Sequence, residues 1–262
     1  MIFRRKDTVT THAAINANGA TRVDARLRMP HGTLKVSSGA TQGDLLDATF
    51  TTPEGREPKV EYDVAGERGT LIVTQSNQLP SNGTNEWNVH FGENVPLALS
   101  LDLSAGTLHA DLTQVPLTAV SLKQSAGRST LNLDGDQVFL TGVSIEQSAG
   151  ELDLTMPGTY PLLRTLDVQS SAGELRLDLR GVLLQDLNVN VRTSAGTIEV
   201  LLPDTANVEA TLRTTVASVR ANGLVRSNGG WVSDGTRSGP RITLAVRATA
   251  GQITLQQGAG AA

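Results

Sequence analysis

Apolar and polar residues alternate along almost the whole chain, and the alternation changes phase at a recurring glycine. Val143 and Ile145 share a face with Ala149, Gly150 follows, and Leu152 begins an apolar set of the opposite parity. A strand that ran straight through the glycine would turn one of these apolar sets outward, because side chains alternate between the faces of a strand. The pattern therefore predicts two strands joined by a bend at the glycine.

The bend belongs to a repeat with glycine-to-glycine steps of 21, 23, 23 and 23 residues. Ser-Ala-Gly occurs at 104–106, 125–127, 148–150, 171–173 and 194–196, and Thr-Ala-Gly occurs at 249–251. Weaker copies contain Gly32, Gly69 and, with serine in place of glycine, Ser218. The predicted structural corners are Gly32, Gly69, Gly106, Gly127, Gly150, Gly173, Gly196 and Gly251, together with Ser218.

Two strands per repeat and no sustained i, i+3, i+4 apolar spacing predict an all-β fold without significant helix. We expect a single β-solenoid of about nine stacked coils, about 4.8 Å apart, in which equivalent positions form columns. The alanine of each triplet is expected where only a small side chain fits. Outward columns should place Asp153 and Glu199 beside Arg176, and Lys123 beside Glu146, as charge pairs that maintain the register.

The repeat also predicts how the chain is divided. Residues 1–22 form an N-terminal segment or cap, and residues 23–256 form the solenoid. A flexible tail is expected over 257–262. Within the solenoid we expect irregular coils over 23–95, regular repeats of 21–23 residues over 96–223, an insertion over 224–241 and a last coil over 242–256.

Composition restricts the partners and the chemistry. Among 262 residues, 22 Lys and Arg oppose 26 Asp and Glu, and the net charge of −4 argues against nucleic acid as a partner. The absence of cysteine excludes disulfides and thiolate chemistry. The four histidines are scattered without the spacing of metal ligands, so no metal and no cofactor are expected.

Neither the apolar core of a signal peptide nor about 20 consecutive apolar residues for a spanning helix occurs in the sequence. We therefore expect no direct membrane insertion and a cytoplasmic location for the sequence as it stands. Association with a membrane through a partner or a missing segment remains open.

No catalytic constellation is apparent. Asp102 and Asp111 could form a carboxylate pair of the kind that glycosidases use, but the only tryptophans, Trp87 and Trp231, are distant from them in sequence. Asp134-Gly135-Asp136 is better explained as a turn than as a calcium loop. We expect that the protein is not an enzyme, and that the two tryptophans contact a partner, close the end of the solenoid or anchor the inserted loops.

The N-terminal unit Ala25 to Val36, the segments Gly43 to Phe50 and Pro58 to Tyr62, and the Ser-Ala-Gly series resemble the bacterial toast-rack domains. These domains are related to LiaF-like cell-wall-antibiotic-response proteins and to adhesin-type β-solenoid domains of unknown function. The resemblance continues through Trp87-Asn88-Val89 and Gly229-Gly230-Trp231. It implies the solenoid fold, supplies no catalytic residues, and implies a role through protein contacts in envelope stress or at the cell surface.

Three functions remain open from the sequence. The leading hypothesis is a non-catalytic module that binds a protein partner, which could be membrane-associated, through a flat lateral face or the loops Gln75–Glu93 and Leu224–Arg241. The alternatives are a scaffold that assembles end to end and a carbohydrate-binding or glycan-active β-helix. Polar terminal segments favour a monomer, although exposed sheet edges would permit self-association.

Overall fold

The structure is a computed structural model that describes residues 8–76 and 83–258. Its secondary structure over these ranges is β-strand, and the strands are β1 (Thr8–Asn16), β2 (Arg22–Ser38), β3 (Asp44–Pro53), β4 (Lys59–Ala65), β5 (Arg68–Thr74), β6 (Glu86–Phe91), β7 (Leu97–Asp111), β8 (Leu117–Asn132), β9 (Gly142–Thr155), β10 (Thr159–Tyr160), β11 (Thr165–Asp178), β12 (Val182–Leu183), β13 (Leu187–Leu202), β14 (Asn207–Asn222), β15 (Leu224–Ser227), β16 (Gly230–Ser233) and β17 (Arg241–Gln257). The described ranges contain no helix of the length and hydrophobicity that crossing a membrane requires.

Eight long strands bend at a corner and stack in parallel, in the spatial order β2, β7, β8, β9, β11, β13, β17 and β14. We call the part of each strand before its corner the first arm and the part after it the second arm. Shorter segments return on a third side, where β10 pairs in parallel with β12. The all-β solenoid predicted from the repeat is therefore confirmed.

The repeat sets the register between layers. Gly173 lies opposite Gly150 on one side and Gly196 on the other, and the apolar positions on both arms follow the same alignment. Leu152, Leu175 and Ile198 accordingly form one buried column of the core. Side chains along each arm alternate between the inside and the outside of the solenoid. The core is therefore a continuous strip of mostly Leu, Val and Ile side chains along the solenoid axis.

A ninth level beside β2 is divided between two strands. β5 pairs with the first arm of β2, and β6 pairs with its second arm. Gln75 and Asn85, both buried, join the two pieces: the Gln75 amide donates to Asn85 Oδ1 over 3.1 Å and the Asn85 amide donates back to Gln75 Oε1 over 2.8 Å. The prediction of about nine coils thus corresponds to eight bent strands and one divided level.

Gly69 was predicted as a corner, and this prediction is wrong. The residue lies inside β5, opposite Val23 of β2, and its φ is outside the left-handed region. β5 forms an antiparallel hairpin with β4, which packs the Tyr62 side chain against Gly69. A Cβ on Gly69 would lie 2.6 Å from the Tyr62 hydroxyl oxygen, so this glycine makes room for a ring instead of turning the chain.

The N-terminal end of the solenoid differs between its two arms. β3 pairs antiparallel with β6, and β1 pairs antiparallel with β3, so that β1 is the outermost strand on the second arm. Residues 8–16 therefore form a regular strand, whereas the sequence predicted a polar and irregular cap over this segment. On the first arm the outermost strand is β4.

The C-terminal end departs from sequential stacking. β17 is last in the chain, yet it lies between β13 and β14 and pairs in parallel with both. The hairpin of β15 and β16, within the predicted insertion 224–241, pairs with β14 on its other side. The register places Ala217, and not Ser218, opposite Gly251 at the corner of β14.

The end of the last strand also extends further than predicted. Gln257, the first residue of the predicted tail, is part of β17 and is buried. Its side-chain amide donates to the carbonyl oxygens of Pro203 (3.0 Å) and Ala206 (2.8 Å). Residues 259–262 of the predicted tail lie outside the described residues.

Candidate functional site

Seven corner glycines share one backbone conformation, with φ between 123° and 136°. They are Gly32, Gly106, Gly127, Gly150, Gly173, Gly196 and Gly251. At six of them, from Gly106 onward, an added Cβ would lie 1.8 to 2.0 Å from the carbonyl oxygen of the preceding corner glycine. The corner therefore requires glycine for two reasons, namely the positive φ and the close approach of the neighbouring layer.

Buried polar side chains line the inside of several corners. Gln124 donates to Gly106 O over 3.0 Å, Gln147 donates to Gly127 O over 3.3 Å, and Thr193 Oγ1 donates to Ala195 O over 3.1 Å. These side chains therefore provide hydrogen-bond donors to backbone carbonyl oxygens at the bend.

The alanine column lies on the outside of the bend, contrary to the prediction that it fills a confined space. Ala126, Ala149, Ala172 and Ala195 are exposed. The chain keeps its apolar residues inward by placing the serine and the alanine of the triplet consecutively outside, and the following glycine restores the alternation. Because alanine side chains are short, this column forms a lowered strip of the outer surface at the corner.

A groove of about 720 Å³ runs along the solenoid beside this lowered surface, on the first-arm side of the corners. Its edge is the outward column four residues before each corner, and its floor contains the triplet serines and threonines. The lining residues come from seven adjacent bent strands, from β7 to β14. We call this feature the corner groove.

The charge of the outward column at the corner groove changes along the solenoid. In spatial order the column contains Arg28, Asp102, Lys123, Glu146, Gln169, Arg192, Arg247 and Arg213. The first four form two ion pairs, Arg28 with Asp102 at 3.0 Å and Lys123 with Glu146 at 2.9 Å. The predicted neighbourhood of Lys123 and Glu146 is confirmed, and three consecutive arginines follow beyond Gln169.

The three arginines were missed in the sequence, although their position was visible there. Each lies four residues before a corner residue, as Lys123 does before Gly127. The sequence argument followed the charge pairs of this column only as far as Glu146. Continuing the same offset through Gly196 and Gly251 would have located Arg192 and Arg247.

The second arm also carries outward charge pairs. Arg176 lies opposite Asp153 on one side and Glu199 on the other, as predicted, and its guanidinium contacts Glu199 at 3.1 Å. Arg128 forms an ion pair with Glu151 in the neighbouring column. All these side chains are substantially exposed, so the pairs contribute little to stability and mainly favour the register.

The two tryptophans have different environments. Trp87 is 0% exposed and packs edge-on against Phe50, with ring centroids 5.3 Å apart. The prediction that Trp87 could contact a partner is therefore wrong for the folded chain, because its indole is part of the core near the N-terminal end. Trp231 is half-buried on β16, and the guanidinium of Arg226 lies 5.6 Å from the centroid of the indole.

Both predicted interaction loops contain β-strand. The segment Gln75–Glu93 contains β6, which is buried on one face by the core; residues 77–82 lie outside the described residues. The segment Leu224–Arg241 contains the β15 and β16 hairpin. The side-chain amide of Asn207 fixes the part of this segment that follows the hairpin, because it donates to the carbonyl oxygens of Arg237 (3.0 Å) and Gly239 (2.8 Å).

The third side carries an exposed apolar patch that the sequence argument did not identify. Phe139 is 46% exposed and Leu184 is 58% exposed, and Val138, Leu162 and Val182 are also exposed. These residues lie in the return segments of successive layers. The available signal was the run of apolar residues at 138–140 and 182–184, which breaks the alternation of the repeat.

Several ionisable side chains of the described segments form structural pairs. Asp178 accepts two hydrogen bonds from the Arg180 guanidinium, at 2.8 and 2.6 Å. Burial alone would raise the pKa of Asp178, but the hydrogen bonds and charge of Arg180 outweigh it and lower the pKa below its ordinary value of 3.8. The hydrogen bond from Lys35 to Glu86, 2.6 Å long, similarly lowers the pKa of Glu86.

The carboxylates considered for glycan chemistry also have structural partners. Asp102 pairs with Arg28, and Asp111 accepts from Thr113 and Asn132. Within residues 8–76 and 83–258, no three His, Asp or Glu side chains are arranged to hold a metal ion. Burial raises the pKa of Tyr160, whose hydroxyl donates to Leu133 O inside the core.

The bent parallel strands and the glycine corners define a solenoid, and the corner groove runs along its axis. The family described as the N-terminal domain of toast_rack, DUF2154, matches residues 4–155. The chain belongs to this family. No curated protein matches the sequence.

Solved structures are similar to this chain over nearly its whole length. A structure described as "a putative cell adhesion protein" from Clostridium sporogenes is 20% identical, with a TM-score of 0.50, and the match covers 96% of this chain and 100% of that one. A "putative adhesin" from Bacteroides fragilis is 10% identical, with a TM-score of 0.39, over 96% of this chain and 98% of that one. A further "putative adhesin", from Parabacteroides merdae, is 12% identical, with a TM-score of 0.37, over 96% of each chain.

Proposed function

We propose that this chain is a non-catalytic interaction module that binds a partner protein along the corner groove in a cell-surface or envelope setting. The observation that carries the proposal is the groove itself, which crosses seven layers and is lined by charged and hydroxyl-bearing side chains. Solenoids bind partners along extended surfaces of this kind, because each layer contributes the same position to one continuous site. The cell-surface setting extends to this chain what the names of the solved relatives say of those proteins.

A site-specific photo-crosslinker tests the location of the site. We would place p-benzoylphenylalanine at Ser171 or Ser194 in the groove, and at Gln185 on the third side as the exposed control. The expected result is that the same protein is crosslinked in native cells from both groove positions and not from Gln185. Crosslinking only from Gln185 would transfer the binding site to the apolar patch of the third side, and no crosslink from either groove position would overturn the proposal.

A second candidate function, the end-to-end scaffold, is favoured by the two ends of the sheet. On the second arm, β14 at one end and β1 at the other each have an outer edge without a neighbouring strand among the described residues. The two strands run in the same direction, because β1 is related to β6 by two antiparallel pairings. One copy could therefore pair its β14 with β1 of the next, which would form an open filament.

Light scattering as a function of concentration distinguishes this candidate. Val216, at the corner where the open second arm of β14 begins, is 72% exposed, and Val182 on the third side is 54% exposed. If copies stack, the mass rises with concentration, and Val216→Lys suppresses the rise while Val182→Lys does not. A constant monomer mass across the series eliminates the scaffold.

A further inference from the structure

We propose that Arg192, Arg247 and Arg213 form a carboxylate-recognition site, which binds an extended acidic segment of the partner protein. The inference deepens the proposed function and rests on it, because it assigns one end of the corner groove to a ligand chemistry. All three arginines line the groove. The site would make the groove directional, with the paired charges at one end and the anion-binding end at the other.

The three arginines are directly opposite one another on adjacent strands. Arg247 lies between the other two, opposite Arg192 of β13 and opposite Arg213 of β14. Neighbouring strands are about 4.8 Å apart, and like charges directly opposite each other destabilise a sheet. Three arginines directly opposite one another therefore lower the stability of the sheet, and the fold alone does not require this arrangement.

The same column shows how the fold compensates such charges elsewhere. Its first four members alternate in sign and form two ion pairs. In contrast, Arg192, Arg247 and Arg213 make no side-chain hydrogen bond or ion pair with any residue that the structure describes. Arg28 and Lys123 each have an acidic partner in the column, whereas the three arginines have none among the described residues. Their positive charge is therefore available to complement an acidic ligand.

The surroundings of the three side chains contain no acidic group on their own strands that could replace such a ligand. Two residues before them the outward positions are Asn190, Ala245 and Thr211, and two residues after them the positions are Ser194, Thr249 and Thr215. The carboxylate of Asp167, one layer away, accepts a hydrogen bond from Asn190 over 2.9 Å. Hydroxyl groups from all three layers thus lie beside the guanidinium groups on the groove floor.

This combination fits carboxylates on an extended chain. A guanidinium binds a carboxylate through two parallel hydrogen bonds, and hydroxyl groups can donate to or accept from a peptide backbone. No aromatic side chain is among the residues that line the groove, so it offers no stacking platform for a nucleobase or a sugar ring. An acidic protein segment is therefore favoured over a nucleic acid or a glycan.

Fluorescence anisotropy with the full chain and fluorescein-labelled octa-glutamate tests the inference. The matched variants are R192Q/R247Q/R213Q and the control R26Q/R128Q/R176Q, which removes the same charge from exposed arginines outside the groove lining. We expect octa-glutamate to bind at low salt, the groove variant to lose at least tenfold in affinity, and the control to change less than twofold. If the triple variant does not fold, the single variants R247K and R247Q are compared instead. R247K should retain more affinity for octa-glutamate than R247Q.

Three outcomes would overturn the inference. They are no binding of octa-glutamate to the wild-type chain, an equal loss of affinity in the control, and binding of dextran sulfate without binding of octa-glutamate, which would assign the site to an anionic glycan. The crosslinking from Ser171 separates the two proposals. If that crosslink forms while octa-glutamate does not bind, the groove is the partner site and the acidic chemistry is wrong.

Discussion

A Cβ added to Gly150 would lie 1.8 Å from the carbonyl oxygen of Gly127 on the preceding layer. Gly150 also has a φ of 127°, a backbone conformation that residues other than glycine rarely adopt. Both constraints repeat from layer to layer, because each corner packs on the backbone of the one before it. The corners are therefore the least substitutable positions of the solenoid.

Gly150→Ala should lower the free energy of unfolding by at least about 3 kcal/mol, since it combines backbone strain with a clash against a backbone atom. Gly229→Ala is the matched control, because Gly229 has a φ of 79° and open space where its Cβ would lie. The control should cost about 1 to 2 kcal/mol. Urea denaturation of the two variants measures the difference, and equal losses would show that packing between corners contributes nothing.

Arg247→Gln should stabilise the chain, unlike most substitutions, because it removes the central charge of three like charges. We expect a gain of about 0.2 to 1 kcal/mol at low ionic strength, which disappears in high salt as screening increases. Lys123→Gln in the paired part of the column should instead lose stability by a similar or smaller amount. Thermal unfolding at low and high salt tests both signs, and a destabilised Arg247→Gln at low salt would contradict the unpaired state of the arginines.

Stability should fall in acid partly through Asp178. Because Arg180 holds the folded-state pKa of this carboxyl below 3.8, its contribution is fully present above pH 3.8 and is lost as the pH falls through the folded pKa. Asp178→Asn should remove this part of the acid dependence and cost about 1 kcal/mol at neutral pH, with the value limited by the exposure of Arg180. Unfolding curves between pH 2 and 7 provide the test. Parallel pH profiles for wild type and variant would refute it.

The tryptophans should be distinguishable by fluorescence. In Trp231→Phe the remaining Trp87 is 0% exposed, so its emission should be blue-shifted and poorly quenched by iodide. In Trp87→Phe the remaining Trp231 is half-buried and should be quenched more strongly. Trp87→Ala should also cost about 3 to 5 kcal/mol through the cavity it creates, while Trp231→Ala should cost less. Similar quenching constants would be inconsistent with the burial of Trp87.

Amide exchange should reveal the order of the strands at the C-terminal end. β17 is the last strand in the chain but pairs on both sides, so its amides should be among the slowly exchanging ones. The second arm of β14 pairs only with β17 and should exchange faster on its open edge. Faster exchange in β17 than in β14 would mean that the two strands are placed in the opposite order.

Most of the core fold was accessible from the sequence because two local signals coincide in every regular repeat. The period of two specifies which residues face inward, and the glycine marks where the phase changes, as at Gly150 and Gly173. The pairing of Lys123 with Glu146 followed from equal distances to the corner. These features depend on residues that are close in sequence or related by a fixed repeat.

The corrected features depend on contacts between segments without a common spacing. Gly69 has the sequence surroundings of a corner, but the β4 hairpin and the Tyr62 ring decide its role. Trp87 is buried because β3 and β6 pair across the second arm and bring Phe50 against it. No alternation along a single strand contains that information.

The sequence by itself determined the repeat, the inward and outward faces of the strands and the glycine corners of the regular repeats, since each follows from steric limits that act locally. Only the tertiary structure placed β17 between β13 and β14, because a strand can fill any edge with a compatible register, whatever its position in the chain. That placement puts Arg247 between Arg192 and Arg213 and completes the charged end of the groove. The fold is thus encoded repeat by repeat, and the candidate site arises from the order in which the layers stack.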